Sequence, residues 1–275
     1  MDAETVLYGL IGRPVSHSLS PAMHNALFRL YGMNAVYLAF EVSDLEGAIK
    51  GIRALGIRGL NVTMPHKETV VGHLDGLSSE AEALNSVNTV VNRGGELIGH
   101  NTDGVGTRKA LERFTKLKGR RVLIIGAGGA GKAIAHELSK VASVVVLNRT
   151  PERAKTLERF GIEVGRLERS RLEAEIRNAD VLINATPVGM NEERSIVPPE
   201  LLPEGAVVMD AVYTPPKTLL LREAEARGCL TVDGLWMLVY QGAESFRLWT
   251  GVSPDVDFMR RVALEGLSKR GCYGG

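Results

Sequence analysis

Apolar positions along the first hundred residues alternate between two periods. Short runs such as "TVLYGLIG", "AVYLAFEV", "GLNVTM", "NTVV" and "ELIGHNTD" read as strands, while Leu45, Ala48, Ile49, Ile52 and Leu55 recur at the spacing of one helix face. Ser20-Pro21 and Pro65 mark helix starts, because proline in a first turn forfeits no hydrogen bond that the helix could have made. "DGVGTRKALERFTKLKG" reads as a connecting helix. From residue 121 the pattern becomes a continuous apolar run, a glycine loop and a helix, "RRVLIIGAGGAGKAIAHELSK", followed by a second buried strand, "SVVVLNRT". Further apolar strands at "ADVLINATP", "AVVMDAVY" and "LTVDG" alternate with helical patterns at "PERAKTLERFG" and "KTLLLREAEARG". "LWMLVYQGAESFRLWTG" and "VDFMRRVALEGLSKRG" read as two closing helices that stop at glycines.

This order predicts an α/β chain of two domains. An N-terminal α/β domain spans 1–103, and a Rossmann-type domain with a doubly wound parallel sheet spans 104–237. The C-terminal helices, 238–275, are expected to pack back on the first domain. A length of 275 residues allows each domain its own core, and 44% hydrophobic with 24% charged residues is the balance of a soluble globular protein. The net charge of +1 and pI near 7.8 supply no basic field, so nucleic acid is not an expected partner. Cys229 and Cys272 fit neither a disulfide framework nor a paired metal-ligand spacing, which suits a reducing cytoplasm. The N-terminal apolar run is too short for a signal peptide or a membrane span and reads as a first strand.

"GAGGAGKA" fits a dinucleotide loop through Gly126, Gly128 and Gly131, and it fits most of an NTPase phosphate loop as well. The NTPase loop needs Ser or Thr after its lysine to hold magnesium, and Ala133 has no oxygen. A dinucleotide needs backbone amides at a helix start to approach the pyrophosphate closely, which the bare loop of Gly126, Ala127, Gly128, Gly129 and Ala130 permits. NAD enzymes present an acid at the end of the next strand, whereas this chain has Asn148, Arg149 and Thr150. Arg149, with Thr150 and Arg153 beside it, suits the 2′-phosphate of NADP, so NADP is expected rather than NAD.

Eight motifs in order match one family: "GRPVSHSLSPAMHN" (12–25), "NVTMPHKE" (61–68), "NSVNTV" (85–90), "GHNTDG" (99–104), "GAGGAGKA", "NRT", "NATPVGM" (184–190) and "MLVYQ" (237–241). Essentially the whole chain resembles the shikimate dehydrogenase family. The resemblance implies interconversion of shikimate and 3-dehydroshikimate with NADP, with the active site in a cleft between the domains. It puts the family's substrate residues on Ser18, Ser20, Thr63, Asn88 and Gln241, with Tyr213 near the substrate carboxylate. Its catalytic pair falls on Lys67 and Asp103. Thr186 and Met190 would border the nucleotide, and Gly234 the nicotinamide.

Paired hydroxyls can bind a carboxylate, and a lysine within hydrogen-bond reach can take the alcohol proton or stabilise the developing alkoxide. Ser20, before a proline at a helix start, also reads as an N-cap. His17, His24, His66 and His100 lie near the motifs, where one could relay a proton; they read better as structural or supporting groups, and no metal site is expected. A quinate/shikimate relative would take NAD or quinate as well, and Arg149 argues against it. A non-catalytic NADP sensor would have no use for Lys67 and Asp103. The partner is then a small molecule, and the expected assembly is a monomer or homodimer.

Overall fold

Runs that are apolar at every position bury both faces of a strand, and the second half of the chain uses them that way. A computed structural model describes residues 1–271. Cys272 lies outside the described residues. The chain divides into two units, Met1–Thr102 with the segment from Gln241 onward, and Asp103–Tyr240.

The first unit holds β1 (Val6–Gly12), α1 (Ser20–Leu30), β2 (Ala35–Glu41), α2 (Leu45–Ala54), β3 (Gly59–Val62), β4 (Gly76–Leu77), α3 (Ser79–Leu84), β5 (Thr89–Arg93) and β6 (Glu96–His100). Its sheet runs β2-β1-β3-β5-β6-β4 and is mixed, with β5 antiparallel to both neighbours. One face buries Ile11, Leu60, Val90 and Leu97 against Ile49 and Ile52 of α2, whose start is capped by Asp44 accepting from Gly47 N at 3.0 Å. Tyr8, Phe28, Tyr37, Phe246 and Trp249 form an aromatic cluster. Asn25 pins α1 to β2 by bonding both the N–H and the carbonyl of Tyr37 at 2.8 Å.

The second unit holds α4 (Asp103–Glu112), β7 (Arg121–Ile125), α5 (Gly129–Ser139), β8 (Ser143–Asn148), β9 (Glu163–Arg166), α6 (Arg169–Ile176), β10 (Val181–Asn184), β11 (Val207–Asp210), α7 (Leu219–Ala226) and β12 (Leu230–Val232). α8 (Gly234–Thr250) begins here and continues into the first unit, where α9 (Val256–Gly271) follows. The sheet order is β12-β11-β10-β7-β8-β9, parallel throughout. Alternate strand residues serve opposite faces. Val122, Ile124, Val144 and Val146 meet Ile134 and Leu138 of α5, whereas Leu123, Ile125, Val145 and Leu147 meet Ile176 of α6 and Leu220 of α7.

Two expected helices differ. Pro65 starts no α-helix: His66 N bonds Thr63 O, the Lys67 carbonyl is taken by Val87 N, and a 3₁₀ helix follows only at Thr69–His73. The 151–161 segment forms two 3₁₀ pieces, Pro151–Arg153 and Lys155–Phe160. Its buried residues, Ala154 and Leu157, are three apart, which fits three residues per turn. Among the described residues no helix is long and apolar enough to cross a membrane.

Candidate active site

In the second unit the chain leaves β7 toward β8 and β9, then returns to add β10 to the other side of β7. Loops after β7 and β10 therefore flank the switch point where ligands bind in open α/β sheets. Gly126 has φ +109°, and a Cβ there would stand 2.8 Å from Thr186 Cγ2 and 2.9 Å from Ala185 O. A Cβ on Gly131 would fall on Gly126 O. These two glycines are demanded by the chain itself. Gly128 and Gly129 are not, since a Cβ on either meets nothing within 4 Å. Open space in front of them, at the start of a helix with no side-chain cap, is a cradle that fits a pyrophosphate.

Asn148 is occupied locally. Its Oδ1 accepts from Ala127 N at 3.2 Å and its Nδ2 donates to Thr150 O at 2.8 Å, so it ties the glycine loop to the end of β8. Arg149, Thr150 and Arg153 are exposed there, as recognition of an outer phosphate requires. Thr186 donates to Asn184 Oδ1 through both its N (3.0 Å) and its Oγ1 (2.7 Å), and Met190 is exposed four residues on. A Cβ on Gly234 would lie 2.5 Å from Ala211 O, so packing explains that glycine.

A residue missed from the sequence organises this end of the sheet. Asp210, fully buried, accepts from Thr218 Oγ1 (2.7 Å), Asn184 Nδ2 (2.9 Å) and Val212 N (3.0 Å). It thereby ties the end of β10, which Thr186 follows, to the end of β11, which Tyr213 follows. Burial pushes its carboxyl up to about 6 against the pull of those bonds. A lone acid closing an apolar strand was the available signal.

In the first unit, Ser18 Oγ accepts from Ser20 N at 3.2 Å, and α1 begins at Ser20 with Leu19 at its N-cap. Ser20 is thus the first helical residue rather than the cap, and it is buried. Thr63 follows β3, and its N–H bonds Ile11 O at 2.9 Å. Lys67 is half-buried in the next turn. Asn88 is buried; its Oδ1 accepts from Thr102 N at 2.8 Å and its Nδ2 faces Gln241 Oε1 at 3.5 Å. Lys67 belongs to the first unit, and Asp103 opens the second as the first residue of α4, its carbonyl accepting from Thr107 Oγ1 at 3.0 Å.

Two of the histidines near the motifs are buried in the first unit. His66 Nε2 lies 2.9 Å from Val42 O, and His24 is fully buried and stacked on Tyr37 with centroids 4.6 Å apart. Desolvation lowers His24 to about 3, and it is neutral at physiological pH. His100, partly buried, is also lowered by desolvation. Among the described residues no group of three or more His, Cys, Asp or Glu is arranged to hold a metal ion.

A bare glycine loop at the switch point of a parallel sheet, and a separate unit with buried amides and hydroxyls at strand ends, define an α/β oxidoreductase of the nicotinamide-dependent class. Residues 10–90 match the model of the shikimate dehydrogenase substrate binding domain, 108–194 that of shikimate / quinate 5-dehydrogenase, and 234–264 that of the shikimate 5'-dehydrogenase C-terminal domain. The chain is 66% identical over 270 residues to shikimate dehydrogenase (NADP(+)) of Thermococcus kodakarensis, covering 98% of this chain and 99% of that one. It is 65% identical over 263 residues to the Pyrococcus abyssi protein of the same name, covering 96% and 99%. The crystal structure of shikimate 5-dehydrogenase from Thermus thermophilus in complex with NADP(H) and shikimate superposes with a TM-score of 0.88 at 42% identity, covering 95% of this chain and 99% of that one. The chain belongs to the shikimate dehydrogenase family.

Proposed function

We propose that this protein oxidises and reforms one alcohol of shikimate, interconverting it with 3-dehydroshikimate, with NADP as cofactor. The observation that carries the reading is whole-length identity of about two thirds to relatives named for this reaction, such as 66% over 98% of the chain. NADP, when bound, exchanges hydride with the ring carbon that bears the alcohol. Gly126 to Ala130 leave backbone N–H groups for its pyrophosphate, while Arg149, Thr150 and Arg153 take the 2′-phosphate. Thr186, Met190 and Gly234 line the remainder, and Asn148 holds the loop in shape.

Ser18 and Ser20, with Tyr213, take the substrate carboxylate, and Thr63, Asn88 and Gln241 take ring hydroxyls. Lys67 accepts the alcohol proton during oxidation and returns it during reduction, and Asp103 orients the ammonium and the same hydroxyl. The polar set of the first unit supplies what such a polyol acid needs. Cys229 and Cys272, which fit no disulfide framework, suit a cytoplasmic enzyme, and the net charge of +1 supplies no basic field for nucleic acid; the partner is a small molecule rather than a membrane, and the assembly a monomer or homodimer.

The test is absorbance of reduced nicotinamide with shikimate or quinate and NADP or NAD in parallel. Shikimate-dependent reduction of NADP is expected. A preference for quinate or NAD moves the protein to the broader relative, and NADP binding without turnover leaves a sensor.

A further inference from the structure

Ser245 sits one turn after Gln241 on α8 and is fully buried. A hydroxyl in such a place must be satisfied or it destabilises the core. This one is at the centre of a network. It donates to Gln241 O at 3.0 Å, receives Asn61 Nδ2 at 3.0 Å, and lies 2.7 Å from Thr89 Oγ1. Ser245 uses its proton on Gln241 O, so Thr89 donates across the 2.7 Å contact, and the tie to Asn88 runs through Asn61, whose Nδ2 also donates to Asn88 O at 3.2 Å and whose Oδ1 accepts from Tyr37 OH at 2.7 Å. Tyr37 is fully buried. Asn88 and Gln241 are therefore joined through side chains that no substrate role has claimed.

Hydrogen counting shows what the network decides. The Thr102 N–H can only donate, so the Asn88 atom 2.8 Å away is Oδ1, and Nδ2 must face Gln241. The facing Gln241 atom is then Oε1, and Gln241 presents its NH₂ group as a donor. Ser245, bonded to the Gln241 backbone carbonyl and to Asn61, which in turn bonds the Asn88 backbone carbonyl, holds that pairing in register.

We propose that Ser245, and through Asn61 also Tyr37, is a positioning residue for substrate recognition: the network aims the Gln241 amide donor at an oxygen of the polyol ring. The proposal rests on the functional reading above. It is tested with the full chain by initial rates against shikimate and NADP for wild type, Ser245→Ala, Ser245→Cys and Tyr37→Phe. Ser245→Ala should raise the shikimate KM by about tenfold, the scale of one buried hydrogen bond, with kcat within about threefold and the NADP KM unchanged. Ser245→Cys should recover part of the loss. An unchanged shikimate KM accompanied by a lower melting temperature overturns the proposal, since the hydroxyl then serves stability alone. If Ser245→Ala does not fold, Tyr37→Phe decides by the same criterion, a several-fold rise in shikimate KM supporting the proposal and no change overturning it. Wild type that neither binds nor oxidises shikimate defeats the functional reading and the proposal with it, whereas active wild type with unaffected variants defeats the proposal alone.

Discussion

Gly131 packs so closely on Gly126 that a Cβ at position 131 would fall on the Gly126 carbonyl oxygen. That oxygen is backbone and cannot step aside, so Gly131→Ala should destabilise the protein by about 1–3 kcal/mol, seen in denaturant unfolding. Gly128→Ala is the contrast. Its φ of −74° suits any residue and its Cβ would meet nothing in the chain, so stability should hold within about 1 kcal/mol. The NADP KM should instead rise at least about tenfold, because the methyl enters the cradle of the pyrophosphate. Equal effects of the two variants on NADP affinity and stability would count against the cradle.

Arg149 is exposed at the end of β8, where cofactor choice is made in this kind of sheet. If Arg149 binds the 2′-phosphate as proposed, Arg149→Ala removes a charge-assisted contact worth about 1.5–3 kcal/mol. The NADP KM should rise about 10-fold to 100-fold while kinetics with NAD stay as in wild type. Parallel kinetics with both nucleotides check this, and a loss shared equally by both would place the arginine elsewhere.

Lys67→Ala should lower kcat by about 10²-fold to 10⁴-fold, the usual contribution of a positioned proton-transfer group. Shikimate binding, followed by calorimetry on the protein saturated with NADP, should survive because Asn88, Gln241 and the serines remain. A variant that keeps wild-type kcat would remove Lys67 from the chemistry.

His24 is neutral in the folded protein, lowered to about 3 by burial, and in the unfolded chain it takes a proton near its ordinary 6.5. The unfolded state therefore binds more protons between these values, and stability falls as the pH falls. Its contribution is fully present above pH 6.5 and is lost by about 1.4 kcal/mol per pH unit on the way toward 3. Urea unfolding at about pH 7 and about pH 5.5, either side of the ordinary histidine value, should show this loss in wild type and a smaller one in His24→Phe, which keeps the stack on Tyr37. Identical losses would show that a titrating His24 is not the cause.

Much of the fold was legible because burial on both faces writes itself as unbroken apolar runs, as at 121–125 and 143–148. The helices that misread did so for local reasons. Proline permits a first turn without requiring one, and at Pro65 the Lys67 carbonyl was claimed by Val87 instead. Ser20 carried a capping signal, yet the helix starts on it with Leu19 at the cap, and Ser20 is buried. Asn61 left a faint mark, an amide inside a strand whose other positions are apolar or glycine. Ser245 left none, since a serine in an amphipathic helix is as common on the outside.

By itself the sequence determined the two-part α/β order, the glycine loop and the residue types available for an NADP and polyol-acid reaction. These are local properties, set by periodicity, by the absence of a Cβ and by charge at a strand end. Only the tertiary structure decided partnership: that Asn88 faces Gln241 from 153 positions away, that Gly131 serves packing while Gly128 lies open, and that Asp210 ties two strand ends together. Hydrogen bonds and close contacts depend on which atoms fall within about 3 Å of each other, and that proximity is created by the whole fold rather than by any stretch of the chain.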